Sequence, residues 1–394
     1  MTSPGAAIAG IYEFPGRRAG GLSKLQIKAE CARQALADAG LGWSDVDAVY
    51  DASEAGPMQG LTIAEYFGIT PRVVDTTAVG GSSYEYHAAH AARDIAAGKA
   101  NVALLTYGST ARSESRAIGT GGRGQAEPQP GSNMEAPYGL TLIGNYALVA
   151  RRHMEQYGTT PAQLAEIAVT TRAHAVRNPD AVRGMTELGF KQAGEISVDD
   201  VLGSRMIADP LHMLDCCMIS DGGGAVVIVS RAVAAGLPKP PVWLLGTGEA
   251  VGYPGNRADI TTSAAARSGP EAFGQAGVRP DEVDVAMIYD SFTITVLTIL
   301  EDLGFAKKGE GGAYAAGGRL RFDRPGAPAL NTDGGGLSSN HPGMRGIFLL
   351  IEAARQLRGE STAQVPGARL AVAHGNGGQL GTRHAAGTIV LGRE

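Results

Sequence analysis

Cysteine is scarce. The 394 residues hold three, at positions 31, 216 and 217. Three thiols, two of them adjacent, make neither a disulfide framework nor a structural zinc site. A reduced, cytoplasmic setting is the simplest expectation, with no metal. There is no excess of positive charge either. Lys and Arg number 34 against 39 Asp and Glu, a net charge of −5. That balance implies no general attraction to nucleic acid or to an anionic membrane. No uninterrupted apolar stretch is long enough to span a bilayer, and the N-terminus has no basic region followed by an apolar run. "GGRGQ" is too irregular for a nucleotide loop, and no Walker pattern occurs.

What is abundant is glycine, 57 residues of it, and much of it punctuates a repeat. "ADAGLGWSDVDAVY" (37–50) and "GQAGVRPDEVDVAM" (274–287) align without a gap at an offset of 237, the difference between Gly277 and Gly40. Each reads as a helix stopped by glycine, a capped turn and an apolar strand. A further strand precedes each, "AAIAGIYEF" and "PVWLLGTGEA". The order then repeats. "GGSSYEYHAAHAARDIAAG" and "ANVALLTYGS" match "GGGLSSNHPGMRGIFLLIEAARQLRG" and "ARLAVAHGNGG". Both halves close on glycine and an apolar run, "SDGGGAVVIVS" and "AAGTIVLG". Each half therefore reads β-α-β-α-β-β, a duplicated α/β unit whose helices can cover both sheet faces.

The interval from about 113 to 214 has no counterpart in the second half. It opens with a polar Gly/Pro loop, "GTGGRGQAEPQPGSN". Two segments of 3.6-residue apolar spacing follow, "NYALVARRHMEQYG" and "TPAQLAEIAVTTRAHAVRNP". It reads as an insertion lying over one face, and insertions often carry binding residues.

With these motifs in order, the chain resembles the thiolase superfamily, most closely its sterol-carrier or lipid-transfer branch. "IAGIYEF" looks like the opening strand. "HMEQYGTTPAQLAEIAVTTRAHAVRNP" followed by "LDCCMISDGGGAVVIV" resembles the loop domain and the return to the first core. "YDSF" at Tyr289 resembles the His-Asp-Cys-Phe motif, "GGGLSSNHPGMRG" the Gly-His-Pro motif, and "HGNGG" at His374 the last glycine-rich loop. The resemblance implies a duplicated, five-layer α/β/α/β/α thiolase fold with a loop-domain insertion in the first half. It divides the chain into a first core (1–112 and 215–238), a loop domain (113–214) and a second core (239–394). It also implies a homodimer, a coenzyme A thioester as substrate with no bound cofactor, and two glycine-rich helix starts aimed at one pocket. Branch members with an incomplete thiolase site are encoded with, or bind, a small OB-fold and zinc-ribbon protein, so such a partner is expected here.

The nucleophilic cysteine of thiolases falls on Gly81, or on Ser82 with a one-residue slip. No cysteine occupies its motif position, and a serine after glycines at a helix start reads first as a cap. Tyr289 stands where the family has histidine or asparagine. Ser291 stands where it has the acid/base cysteine, and His374 where biosynthetic members have a second cysteine. His341 is retained, although Asn340 replaces the preceding glycine. A phenol, an imidazole and backbone amides suit carbon–carbon chemistry without an acyl-enzyme. Tyr289 and His341, with His374 behind them, are the expected acid/base groups. Amides around Gly81, Ser82, Gly377 and Gly378 are the expected oxyanion donors, with Ser291 and Asn340 supporting. Some thiolase-like aldolases of steroid side-chain degradation resemble this pattern, with a tyrosine at the "YDSF" position and a second tyrosine across the pocket. His341 takes that second place here. The expected function is a retro-aldol or aldol lyase acting on a β-hydroxyacyl-CoA in lipid or steroid side-chain breakdown. The alternatives are an acyltransferase with an atypical nucleophile at Ser82 or Ser83, and a non-catalytic acyl-CoA or lipid-binding subunit. His87, His90, His153, His174 and His212 read as packing or contact residues, and His384 as a loop residue.

Overall fold

The computed structural model describes residues 5–52, 58–114, 141–252 and 259–393. The Gly/Pro loop of the insertion lies outside them. Strands β1 (Ala6–Glu13), β2 (Ala48–Tyr50), β3 (Val73–Asp75), β4 (Val102–Ser109) and β7 (Gly222–Ser230) belong to the first half. Strands β8 (Val242–Gly252), β9 (Val285–Ile288), β10 (Ala329–Leu330), β11 (Leu370–Gly378) and β12 (His384–Gly392) belong to the second. A two-stranded hairpin, β5 (Met206–Ala208) and β6 (Leu211–His212), sits in the insertion. The ten main strands run β10-β9-β11-β12-β8-β1-β7-β4-β2-β3. Read outward from the centre, each half gives the same series. β1 matches β8, β7 matches β12, β4 matches β11, β2 matches β9 and β3 matches β10. The halves meet at the antiparallel pairs Ala7–Trp243 and Ile8–Val242 of β1 and β8.

The 237-residue offset is structural. Helix α1 (Lys24–Ala39) ends on Gly40 at φ +73°, and helix Ala265–Ala276 ends on Gly277 at φ +64°, left-handed caps that only glycine takes without strain. Leu41 N–H closes on Leu36 O as Val278 N–H closes on Phe273 O. One 3₁₀ turn follows each cap, at 43–45 and 280–282. The carboxylate of Asp47 then accepts from Asn101 and Val102 N–H at the start of β4. Its counterpart Asp284 accepts from Arg369 and Leu370 N–H at the start of β11.

Alternate strand residues face opposite sides, and here both sides are covered. Ala103, Leu105 and Tyr107 of β4 join Ala371 and Ala373 of β11 in a central core. Between these half-sheets lie helix α3 (Ser83–Ala96) and helix Gly346–Arg358. Val102 and Leu104 face the other way, onto α1. In the second half Val372 faces helices Ala265–Ala276 and Thr293–Asp302. The result is five layers, α/β/α/β/α. The insertion's helices Leu142–Tyr157 and Pro161–Ala175 add to the last layer, packing on helix Thr293–Asp302 with Tyr146, Leu164 and Ile167. A segment of the first half thus roofs the second. No helix among the described residues is long and apolar enough to cross a membrane.

Candidate active site

The carboxyl ends of β9 and β11, the start of α3, the 339–345 loop and the insertion surround a cavity of about 230 Å³. Gly80, Gly81, Tyr289, Ser291, His341, Asn376 and Gly378 line it, with Leu142, Ile143, Tyr146 and Phe292 as an apolar wall. Ligands of open α/β sheets sit at such carboxyl ends.

Tyr289 leaves the end of β9, its N–H bonded to His374 O at 2.9 Å. Its hydroxyl lies 2.9 Å from His341 Nε2 and 3.1 Å from Gly343 O, with the two rings edge to face at 5.4 Å. The carbonyl accepts only. The imidazole nitrogen either accepts the phenol proton or donates to its oxygen, so the pair can pass a proton. Burial, with Cys217, Tyr107 and Tyr146 nearby, holds the phenol well above its ordinary value. Burial and then the Arg345 charge push His341 down to about 4, so the imidazole is neutral at physiological pH. A neutral imidazole bonded to a phenol is a base able to receive a proton through it.

The loop carrying His341 is fixed from several directions. His341 N–H donates to Ser220 Oγ at 3.1 Å and its carbonyl accepts from Ser220 N–H at 3.3 Å. Tyr107 donates to Pro342 O at 2.7 Å. Asn340 Nδ2 donates to Glu13 Oε1 at 2.6 Å, and Arg345 donates to both Asn340 O and Oδ1. Arg345 also pairs with Asp333 at 2.5 Å and Asp290 at 3.2 Å. Asp290 in turn accepts from Gly336 and Leu337 N–H, which ties the "YDSF" strand end to the glycine-rich turn. Asn340 therefore supports the loop from behind the cavity.

At the start of α3 the space beside Gly81 is taken. A Cβ on Gly81 would lie 2.5 Å from Tyr289 Cζ and from Asn376 O, with Tyr289 Cε2 closer still. The phenol ring fills the space a side chain at 81 would need. Ser82 is fully buried and does not line the cavity. It occupies the cap position, yet its hydroxyl donates back to Val79 O at 3.2 Å instead of capping a helix amide. Ser83 Oγ likewise donates to Gly80 O.

Two sequence expectations are corrected by position. His374 is buried on the face of β11 that points away from α3, bonded to Thr388 Oγ1 at 2.9 Å, and does not line the cavity. Asn376, two residues along the same face and nearer the strand's end, lines it instead. Gly377 is not a lining residue either; its bare Cα lets the 79–82 turn approach, since a Cβ there would meet Ser82 Oγ at 2.7 Å. Cys216 and Cys217 stand away from the nucleophile's motif position. Both line the cavity, joined to it by Cys217 N–H on Ser291 O at 2.9 Å. Neither is an activated nucleophile. Burial raises both thiols, that of Cys216 to about 12. Ser291 lines the cavity, its hydroxyl 2.9 Å from that of Thr295.

Sequence reasoning missed Tyr146 and Asn376, and took His384 for a loop residue. His384 Nδ1 accepts from Ala264 N–H at 3.1 Å, its Nε2 meets Asn376 Oδ1, and Asn376 Nδ2 donates to Tyr146 Oη at 3.1 Å. Tyr146 stacks on Phe292 with ring centroids 4.5 Å apart. The signal available was the apolar face of the "NYALVARRHMEQYG" helix, which a tyrosine shares with Ala147, Val149 and Ala150. Among the described residues no cluster of three or more His, Cys, Asp or Glu side chains is placed to hold a metal.

Comparison with known proteins places the chain by family and fold. Residues 246–393 match the thiolase C-terminal domain-like family. A steroid side-chain-cleaving aldolase of Thermomonospora curvata is 36% identical over 377 residues, 92% of each chain. A 17-hydroxy-3-oxo-4-pregnene-20-carboxyl-CoA lyase of Mycobacterium tuberculosis is 32% identical over 387 residues, 93% of this chain and 95% of that one. The solved structure of an "Ltp2-ChsH2(DUF35) aldolase" superposes with a TM-score of 0.87 at 32% identity, over 99% of this chain and 98% of the other. The chain belongs to the thiolase superfamily, in the sterol-carrier-like branch that includes steroid side-chain aldolases.

Proposed function

We propose that this protein is a carbon–carbon lyase that cleaves a β-hydroxyacyl-CoA by a retro-aldol step in steroid or lipid side-chain breakdown. The observation that carries the reading is the Tyr289 ring in the space of the missing thiol, with its hydroxyl 2.9 Å from a neutral His341. In the forward step the substrate's β-hydroxyl gives its proton to Tyr289 Oη while the phenol passes its own to His341 Nε2. The Cα–Cβ bond breaks, the β-carbon becomes a ketone, and the electron pair enters the thioester as an enolate. The proton returned from the pair to Cα completes the acyl-CoA product. Amides at the α3 start and at Gly378 are suited to the enolate oxygen, the place where charge develops. No resident cofactor takes part; coenzyme A arrives as part of the substrate.

An acyltransferase needs a nucleophile in the cavity. Ser82 does not line it, and the two thiols that do are held protonated. Tyr289→Phe and His341→Ala should each lower retro-aldol turnover of a β-hydroxyacyl-CoA with a tertiary β-carbon by about 10²–10⁴-fold, and the double variant by less than the product. Ser82→Ala and Cys217→Ser should stay close to wild type. Loss of activity in either of the last two, with Tyr289→Phe unaffected and a covalent acyl adduct by mass spectrometry, would transfer the case to the acyltransferase.

We also infer two protein partners. The first is a second copy of this chain. β3 is the outermost strand of the first half. Val74 on it and Leu61 and Tyr66 on helix α2 (Gln59–Phe67) leave 44%, 66% and 48% of their surface exposed, an apolar sheet edge of the kind that another chain covers. The second is a small OB-fold and zinc-ribbon protein, supported by the two-component name of the solved aldolase. Light scattering at micromolar concentration, and turnover with and without the small protein, test the two separately. The protein is expected in the cytoplasm.

A further inference from the structure

The retro-aldol step changes the charge on two oxygens. The β-hydroxyl loses a proton, and the thioester oxygen gains the electron pair. Tyr289 and His341 serve the first. A second phenol lines the same cavity from the insertion, and its bond to Asn376 has a fixed direction.

The direction follows from the ends of the chain. Ala264 N–H is a donor, so His384 Nδ1, 3.1 Å away, accepts. Burial lowers His384 to about 4, so the ring is neutral and its single hydrogen sits on Nε2. That hydrogen faces Asn376 Oδ1. The Asn376 amide is thereby oriented, and its Nδ2 donates to Tyr146 Oη at 3.1 Å. Tyr146 receives a bond from behind, so its own hydrogen is turned away from Asn376. Burial raises this phenol, but the Asn376 amide, the Ser291 hydroxyl and the Leu380 peptide group at its oxygen pull it back. Negative charge at the Tyr146 oxygen is better supported than at Tyr289, where the carbonyl of Gly343 is a neighbour. Tyr146 is 1% exposed and its ring is locked against Phe292. It costs no reorganisation to present the hydroxyl.

We propose that Tyr146 donates a hydrogen bond to the thioester oxygen as the enolate forms, and that Asn376 and His384 are positioning residues that fix the direction of that donor. This inference rests on the retro-aldol reading and adds to it a catalytic residue from the insertion. No proton changes owner at Tyr146. The bond shortens as the oxygen gains charge and relaxes when Cα is protonated.

The test uses the full chain, with its partners if turnover needs them, and the same tertiary β-hydroxyacyl-CoA. Tyr146→Phe keeps the ring on Phe292 and removes the donor. It should lower kcat and kcat/KM together by about 10²–10³-fold, the loss typical of one oxyanion donor, with binding of the product acyl-CoA by calorimetry unchanged. Asn376→Asp replaces a donor by an acceptor and draws the Tyr146 hydrogen backward, so it should fall to the level of Tyr146→Phe. His384→Leu should lose most of the effect, and His384→Gln should recover it, because an amide can accept from Ala264 N–H and donate to Asn376. His384→Leu in the Tyr146→Phe background should cost nothing further, which a merely structural histidine would not give. Wild-type turnover with Tyr146→Phe at full kcat overturns the inference and leaves the lyase intact. So does equal damage by His384→Leu and His384→Gln. Absence of retro-aldol turnover in the wild type sinks the lyase reading itself.

Discussion

Replacing Gly81 by alanine tests the central claim about the site, because one methyl group meets two catalytic features at once. Its Cβ would be 2.5 Å from Tyr289 Cζ and 2.5 Å from Asn376 O. Carbon–carbon contact is comfortable at about 3.5–4.0 Å, so the ring must retreat by roughly 1 Å or the helix start must tilt. Overpacking of this kind costs about 1–3 kcal/mol. The catalytic effect should be larger. A phenol displaced by that amount loses its 2.9 Å bond to His341, and positioned acid/base catalysis contributes about 10²–10⁴-fold. Turnover should therefore fall at least about a hundredfold while the protein still folds. Thermal melting followed by circular dichroism reads the first quantity and ketone release the second. Tyr289→Ala in the Gly81→Ala background should recover part of the lost stability, since the ring contact goes, but not all, since the Asn376 carbonyl remains. Turnover should not recover. A Gly81→Ala protein with wild-type melting temperature and rate would refute the packing of the phenol against the helix start, and the assignment of Tyr289 with it.

Two further predictions concern pH. Burial lowers His87, His174, His341 and His384 to about 4 and His374 to about 3, against an ordinary 6.5. Between those values the unfolded chain binds protons that the native chain does not, so the stability these rings contribute is complete above about pH 6.5 and is lost as pH falls toward 4. Each such shift is worth on the order of 3 kcal/mol at full protonation, a large fraction of the usual net stability of a domain. Unfolding should therefore set in well above pH 4; native fluorescence and melting unchanged down to that pH would contradict the burial of these rings. Glu85 on α3 has the opposite sign. Its carboxyl is fully buried among Gly346, Gly375 and Gly387, no other described residue hydrogen-bonds its oxygens, and burial, only partly offset by its own backbone amide, holds its pKa well above 4.5. Stability from this group is present below about 4.5 and lost as pH rises. Glu85→Gln should raise the melting temperature at pH 8 and converge with wild type at low pH, and parallel curves would count against it.

The fold was legible because its signals are local. Gly40 and Gly277 stop helices, Asp47 and Asp284 staple strand starts, and the same spacing carries both. The site was half legible. Tyr289 and His341 sit in motifs at strand and loop ends, where short sequence windows determine position. His374 was misplaced because motif alignment outweighed strand geometry. In "HGNGG" the histidine and asparagine share a face, and only the asparagine reaches the strand's end. Tyr146 and Cys217 were not legible in the same way. They reach the cavity from the insertion and from the return to the first core, so their approach depends on contacts between segments more than 70 residues apart. A tyrosine on an apolar helix face carries no mark that distinguishes a lining residue from core.

The buried charges explain how the family's scaffold accepts different chemistry without loosening. Behind the 339–345 loop Glu13 pairs with Arg17 and Arg355, Arg345 pairs with Asp290 and Asp333, and Asn340 joins the two groups by donating to Glu13 and accepting from Arg345. Three guanidinium groups face four carboxylates, since buried Glu352 also pairs with Arg355 at 3.5 Å. Burial pushes Asp290 up, but Arg345 and the amides of Gly336 and Leu337 limit the rise to about 6. Buried ion pairs add little net stability, because desolvation offsets their attraction. Breaking one is costly, however, and that asymmetry resists any movement of the loop. His341 is thus held by groups that never touch substrate. A glycine at 81 and a tyrosine at 289 can then exchange a thiol for a phenol within a frame that stays put. The two substitutions are one steric unit. A side chain at 81 excludes the ring, and without the ring the glycine would leave a void beside the helix start. The proposed phenol chemistry thus sits where two residues compete for one volume, beside a histidine whose loop is anchored by charges outside the cavity.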